Sequence, residues 1–135
     1  ETPAGPVAVW NTHPYPPLRQ SSHIAQISNL AREIAQSEGP LIVGGDFNTT
    51  DQAATYRLIS RQLDNAHWEA GWGFGFSFPA RGPDLPGWLP VRPLVRIDHI
   101  FYSDHFMAHS ARTLPEAAGS DHFPVVAELV WIEEY

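Results

Sequence analysis

Leu41-Ile42-Val43-Gly44-Gly45-Asp46-Phe47-Asn48 reads as a short apolar strand, a glycine pair, and then an acid and a carboxamide two residues apart. The glycines free the backbone to turn sharply, so Asp46 and Asn48 can project from a sheet edge towards one point. By itself the same run also reads as an Asx turn in which Asn48 or Thr49 caps the next helix. Upstream, Ser21 or Ser22 is placed to cap a helix whose apolar positions Ile24, Ile27, Leu30, Ala31 and Ile34 keep helical spacing, and Gly39-Pro40 stops it. Before that helix, Val7-Ala8-Val9-Trp10 reads as a buried strand with His13 at its exit, ahead of a loop broken by Pro14, Pro16 and Pro17.

Downstream, a short helix is expected from about Asp51 to Gln62, capped by Thr50 or Asp51. Residues 64–93 have no clean period; they mix Trp68, Trp72, Phe74, Phe76, Phe78 and Trp88 with many glycines and prolines. A loop of that length inside one domain is usually functional or mobile. Val95 to Tyr102 alternates like a strand, with Ile97, His99 and Phe101 on one face and Asp98, Ile100 and Tyr102 on the other. Phe106 to Leu114 and Val125 to Trp131 read as further strands. The order is mixed α/β with mostly short connections.

The 135 residues suffice for one domain with a sizeable core, and the 43% hydrophobic fraction with five Trp argues for a globular chain. No stretch approaches the ~18 apolar residues of a membrane span, and nothing resembles a signal peptide. The chain opens on Glu1-Thr2-Pro3 without an initiator Met, so a region upstream is expected. There is no cysteine, which removes disulfides and thiolate ligands and leaves the compartment open. Net charge is -7, and all eight positive residues are Arg. A binder of nucleic-acid backbone usually carries a basic stripe, so this balance counts against a DNA-binding role.

Four polar clusters sit where strands should end: Asn11-Thr12-His13-Pro14, Gly44-Gly45-Asp46-Phe47-Asn48, Arg96-Ile97-Asp98-His99-Ile100 and Ser120-Asp121-His122-Phe123-Pro124. Together they bring imidazoles, three carboxylates and two carboxamides, the inventory of a metal-assisted hydrolase. Asp121-His122 stands just ahead of a strand expected to be buried, where desolvating an acid and a base is costly without a partner or a metal. Asp98 lies within a strand, where its two readings are orienting a histidine and pairing with Arg96. A lone histidine such as His13 is more often an ordinary surface or core residue. His23, His67, His99, His105 and His109 have no supporting cluster and read as structural or exposed. The aromatics of 68–78 read as core and loop packing rather than a base-stacking platform.

In their order, the segments Asn11-Thr12-His13, Gly45-Asp46-Phe47-Asn48, Ile97-Asp98-His99-Ile100-Phe101 and Ser120-Asp121-His122-Phe123-Pro124 resemble the C-terminal half of the endonuclease/exonuclease/phosphatase superfamily. That group holds DNase I-like nucleases, inositol phosphatases and neutral sphingomyelinases, and the resemblance covers nearly the whole chain. It implies an α/β fold: residues 1–135 as half of a four-layer α/β sandwich, a mixed β-sheet with helices on one side, the N-terminal half being absent. It implies Mg²⁺-dependent hydrolysis of phosphate mono- or diesters by in-line water attack, with Mn²⁺ as the other candidate cation. His122 would then sit at the scissile phosphate with Asp98 orienting it, Asp46 would align or deprotonate the water, and Asn48 would steady the phosphate. Asp121, with Asp46 and Asn48, would serve the metal, and His13 would stabilise or protonate leaving or non-bridging oxygens.

A full member is about twice as long, and its first half supplies an Asn and a metal-binding Glu. A one-sheet remnant would expose the apolar face that meets the other sheet, so either a homodimer or the missing half is expected to cover it. Gly71-Trp72-Gly73-Phe74 through Phe78-Pro79, with the Pro-rich stretch up to Arg96-Ile97-Asp98, is similar to bacterial membrane-anchored members, including teicoplanin-resistance-type proteins thought to act on lipid-linked phosphates. The parent protein would then lie in the cytoplasm or on the extracytoplasmic face of a membrane. A small-molecule or lipid-linked phosphate suits the acidic, Lys-free composition better than nucleic acid. Two other readings stand beside this one: a nuclease of the same superfamily, and a catalytically incomplete fragment or interaction module.

Overall fold

Apolar runs and a helical stripe build the sheet and its cover in the order the sequence suggests. The structure is a computed structural model that describes residues 5–80 and 92–132. Strand β1 spans Ala8–Thr12, β2 Leu41–Asp46, β3 Asp64–Asn65 and β4 Asp98–Tyr102, and they form one mixed sheet in the order β1-β2-β4-β3. β1 runs parallel to β2, while β4 is antiparallel to both β2 and β3.

Helix α1, Gln20–Gln36, buries His23, Ile27, Ala31 and Ile34 at helical spacing, and α2, Ala54–Ser60, buries Tyr56 and Ile59. Both helices lie on the sheet face that carries Leu41, Val43 and Phe101, and together they form the larger core with Phe47 and Leu63. The alternate residues Ile42, Ile100 and Tyr102 face the other way, as the period of two requires. There they meet β5, Phe106–Thr113, and β6, Val125–Trp131, an antiparallel pair forming its own two-stranded sheet. Ala108, Ala127, Leu129 and Trp131 of that pair pack with Ile42, Ile100 and Tyr102. The layers are therefore helix, mixed sheet and hairpin, part of a DNase I-like α/β sandwich. A bare one-sheet remnant is not what forms, because the hairpin covers much of the second face, although Val9 stays 70% exposed.

Several local expectations give way. The helix starts at Gln20 rather than at a serine cap: Pro17–Arg19 forms a 3-10 turn that runs straight into α1, and the cap at Arg19 has no side-chain hydrogen bond. Proline at the first position of that turn sets φ in advance, which a serine cap does not do. Helix α2 begins at Ala54, later than Asp51, again without a side-chain cap. Gly44 and Gly45 lie inside β2, which runs on to Asp46. The aperiodic stretch from residue 64 holds β3 and the short helix α3, Ala66–Ala70. Asn65 caps α3, its Oδ1 accepting the amides of His67 at 3.0 Å and Trp68 at 3.3 Å. Trp68, Trp72 and Phe74 are 63%, 96% and 78% exposed, so they are not core. Gly82, Pro83, Pro86, Gly87, Trp88 and Pro90 lie outside the described residues.

Candidate active site

The strand order alone brings three of the four clusters to one edge. β1 and β2 run parallel and in register, Thr12 beside Gly45, so both reach the same end of the sheet. β4 runs the other way, so its first residue, Asp98, pairs with Asp46, the last of β2. Paired residues project to the same face, which sets the two carboxylates side by side. His13 follows β1 directly. This close passage needs glycine at position 45: a Cβ there would run into the Thr12 carbonyl oxygen and stand 3.0 Å from Asn11 Oδ1, and φ is +144°.

Asn48 has φ +49°, a left-handed conformation that Asn tolerates better than most residues. Its amide N–H donates to Asp46 Oδ1 at 2.8 Å, and its side-chain Nδ2 donates to the Pro14 carbonyl at 3.0 Å. The Asx turn and the site geometry are thus one arrangement, and it locks the loop after β1 to the loop after β2.

His122 reaches the same edge from the loop before β6. Buried Ser77 is the pin: its carbonyl accepts the Phe123 amide at 2.8 Å, and its Oγ takes the amides of Ile97 and Asp98 at 3.4 and 3.3 Å. The ring of Phe78 lies 4.7 Å from the His122 imidazole, centre to centre. His122 Nδ1 donates to Asp98 Oδ2 at 2.8 Å, which leaves Nε2 3.8 Å from Asp46 Oδ2. His13 Nε2 lies 3.4 Å from that same oxygen from its exposed position on the rim.

The electrostatics follow from this crowding. Burial, reinforced by Asp98, pushes the Asp46 carboxyl above its ordinary range, against the pull of the Asn48 amide, His122 and His13. For His122, burial works against the charged ring, but the hydrogen bond and charge of Asp98, with Asp46 and Asp121, outweigh it and raise its pKa. Asp46, Asp98 and His122 each offer a ligand atom within 4.8 Å of the others, so the three could hold a metal ion. The donor set fits a hard divalent cation, with two carboxylates that crowd one another and lack a full counter-charge.

Asp121 lines the same cleft, of about 500 Å³, but from an exposed position outside that group of three. The strand after it is not buried; β6 alternates half-buried and exposed residues, so burial of that strand does not account for the acid. Arg96 does not pair with Asp98. It is 8% exposed and bonds Asp51 at 2.7 Å, with the Phe74 carbonyl at 3.3 Å as a second acceptor. His23 and His99 are buried, bonded to the carbonyls of Tyr15 and Thr49. His67 bonds the Gly73 carbonyl, and His105 pairs with Asp104. Ser77 escaped the sequence reading, and Phe78 was read only as packing, because both lie in the aperiodic aromatic stretch, where no spacing ties them to the site.

Solved structures share this fold. A mannosyl-6-phosphatase of Bacteroides thetaiotaomicron is 22% identical with TM-score 0.70, covering 90% of this chain and 51% of its own. A conserved protein of unknown function from Enterococcus faecalis is 24% identical with TM-score 0.69, covering 90% and 49%. The catalytic domain of Xenopus laevis APE2 is 18% identical with TM-score 0.61, covering 87% and 47%. The chain thus spans about half the length of the solved structures it matches. No curated protein sequence matches it. The family model described as endonuclease/exonuclease/phosphatase matches residues 2–122, nearly the whole length over which these clusters are strung, and the chain belongs to that family.

Proposed function

We propose that this chain carries the base-and-imidazole side of a Mg²⁺-dependent phosphoester hydrolase acting by in-line water attack. The observation that supports it most is the linked set Asp98–His122–Asp46–His13 at one sheet edge, held by contacts of 2.8, 3.8 and 3.4 Å. Asp46, made more basic by burial, takes the proton of the attacking water. Asp98 accepts the Nδ1–H of His122 and favours the charged ring, so that Nε2–H faces the cleft and donates to a phosphoryl oxygen. Asn48 is oriented by its bond to Pro14 and steadies the phosphate, and His13 serves the oxygens at the exposed rim. The cation would be held by Asp46 with Asp98, Asn48 or Asp121; when bound it neutralises charge on the phosphoryl oxygens.

Phosphatase and nuclease relatives leave the ester class open. The acidic, Lys-free chain favours a small or lipid-linked phosphate. The similarity to membrane-anchored members rests on Gly71 through Pro79 and the Pro-rich stretch up to Asp98, of which residues 81–91 lie outside the described set, and no helix among the described residues is long and apolar enough to cross a membrane.

The test is hydrolysis of a generic phosphodiester and a phosphomonoester with Mg²⁺, with a chelator, and by the Asp46→Ala chain. Turnover abolished by both chelator and substitution is expected. Turnover that survives either one overturns the reading, and no turnover under any condition favours an incomplete fragment or interaction module.

A further inference from the structure

A second groove opens beside the polar cleft. It holds about 700 Å³ between the 3-10 turn with the start of α1 on one side and residues 48–55 and 95–97 on the other. The size lies within the ~300–1,000 Å³ of small-molecule sites. Pro16, Asn48, Phe78 and Ile97 line both the groove and the cleft, so the two adjoin and a molecule held at His122 can reach into the groove. Its far wall is Pro17, Leu18, Ile24, Ala53 and Val95.

Two features of this wall carry the argument. Among the described residues no acidic residue, arginine or lysine lines it, and the one titratable side chain there, His23, is buried and bonded to the Tyr15 carbonyl at 2.6 Å. A polynucleotide running on from the scissile phosphate would need cations there, and a nucleobase would need a stacking face. Besides the buried His23, the one aromatic ring in the wall among the described residues is Phe78, and it is already packed on His122. Apolar side chains are also turned outward where the helical stripe does not require it: Leu18 is 97% exposed and Ile24 43% exposed, while His23 takes the buried place beside it. Single exposed apolar residues are ordinary; a mainly apolar, uncharged groove, with Gln20, Thr49, Thr50 and Thr55 as its other polar side chains, opening on a phosphoester cleft marks a ligand surface.

We infer that the groove receives an alkyl chain carried by the phosphoester, so that the substrate is an amphiphilic alkyl phosphate. The inference rests on the phosphoester reading of the cleft and adds the chemistry of the ester group. The cleft fixes the head by charge and hydrogen bonds, and the groove selects the tail by burial alone.

Alkylphosphonates, which keep the head but resist hydrolysis, test it by calorimetric titration with Mg²⁺ present. Burial of each methylene strengthens binding by about fourfold, so octylphosphonate with three to four of its methylenes in the groove should bind roughly 100-fold tighter than methylphosphonate. Leu18→Ser and Ile24→Ser, both on exposed positions that the core does not use, should each cut the octyl-to-methyl ratio several-fold. Equal affinity for the two phosphonates overturns the alkyl groove and leaves the phosphate site standing. A length dependence that ignores both substitutions puts the tail elsewhere and overturns it too. Failure of both phosphonates to bind, with or without Mg²⁺, removes the phosphoester reading and the inference with it. Self-association on concentration that Leu18→Ser abolishes would assign the groove to a second copy of the chain instead.

Discussion

His99 is an imidazole the chemistry does not use, and its surroundings explain why it stays neutral. It is 2% exposed, wedged among Phe47, Tyr56 and Phe101, with Nε2–H donating to the Thr49 carbonyl and Nδ1 accepting from Asn65. Burial lowers its pKa from 6.5 to about 4. The unfolded chain therefore binds a proton first as pH falls, so the stabilisation is complete above 6.5 and is lost between 6.5 and about 4. The loss amounts to about 3 kcal/mol, read as a falling urea midpoint across that window, and a His99→Gln chain should lack this part of the slope. Gly45 makes the complementary test of backbone. Gly45→Ala drives a methyl into the Thr12 carbonyl, whereas a methyl added at Gly44 would meet its nearest atoms at 3.9 and 4.0 Å, ordinary contact. Gly45→Ala should cost about 2 kcal/mol or more and disturb the Asp46 loop; Gly44→Ala should cost well under half of that. Equal midpoints for the two variants would refute the close-passage argument.

At the scale of elements, the pair Arg96–Asp51 ties the turn before α2 to the loop before β4, with Trp68 lying 5.7 Å from the guanidinium. Asp51→Ala strands a guanidinium that is 8% exposed, a loss of about 2 to 4 kcal/mol in chemical denaturation. The apolar replacement Asp51→Leu with Arg96→Met should recover much of it, and a double variant no better than the single one would show that the pair does not act as a unit. How legible these elements were depends on how local their causes are. β6 was readable to the residue, Val125 to Trp131, and the alternation about His99 and Phe101 gave the faces of β4 correctly, because a period of two is written in the side chains. The start of α1 was not, because a 3-10 turn led by Pro17 displaced the serine cap. Neither was α3, whose five residues are too few for a period and depend on one Asn65 cap. The candidate site divides the same way: Asp46 and His122 stood beside readable strand ends, whereas Asp98 was read within a strand from Val95 and in fact begins β4, and Ser77 acts through long-range backbone bonds to Ile97, Asp98 and Phe123 that no spacing encodes.

For the whole molecule the unsettled surface is the hairpin. Its inner face packs on the main sheet, yet the outer face turns Met107, Val126, Val130 and the following Ile132 to solvent at 55, 37, 43 and 43% exposure. A two-stranded sheet also leaves the outer edge of β6 without a ladder partner among the described residues, while that of β5 has one bridge, Ala111 with Gly71, and such a pair gains little stability alone. Because β6 alternates, substitutions at its outward positions leave Ala127, Leu129 and Trp131 in place. We propose this surface, rather than the face now under the hairpin, as the one that a second copy or the remaining half of a full-length relative would cover. The isolated chain is predicted to self-associate, seen in sedimentation equilibrium as a mass that climbs with concentration towards twice that of the chain. Val130→Lys sets a charge at the centre of the outer face and should return the monomer mass at the same concentrations while leaving the urea midpoint within about 0.5 kcal/mol of its original value. A wild-type chain that stays monomeric throughout the dilution series would exclude the homodimer, and the outer face would then be left to the missing half.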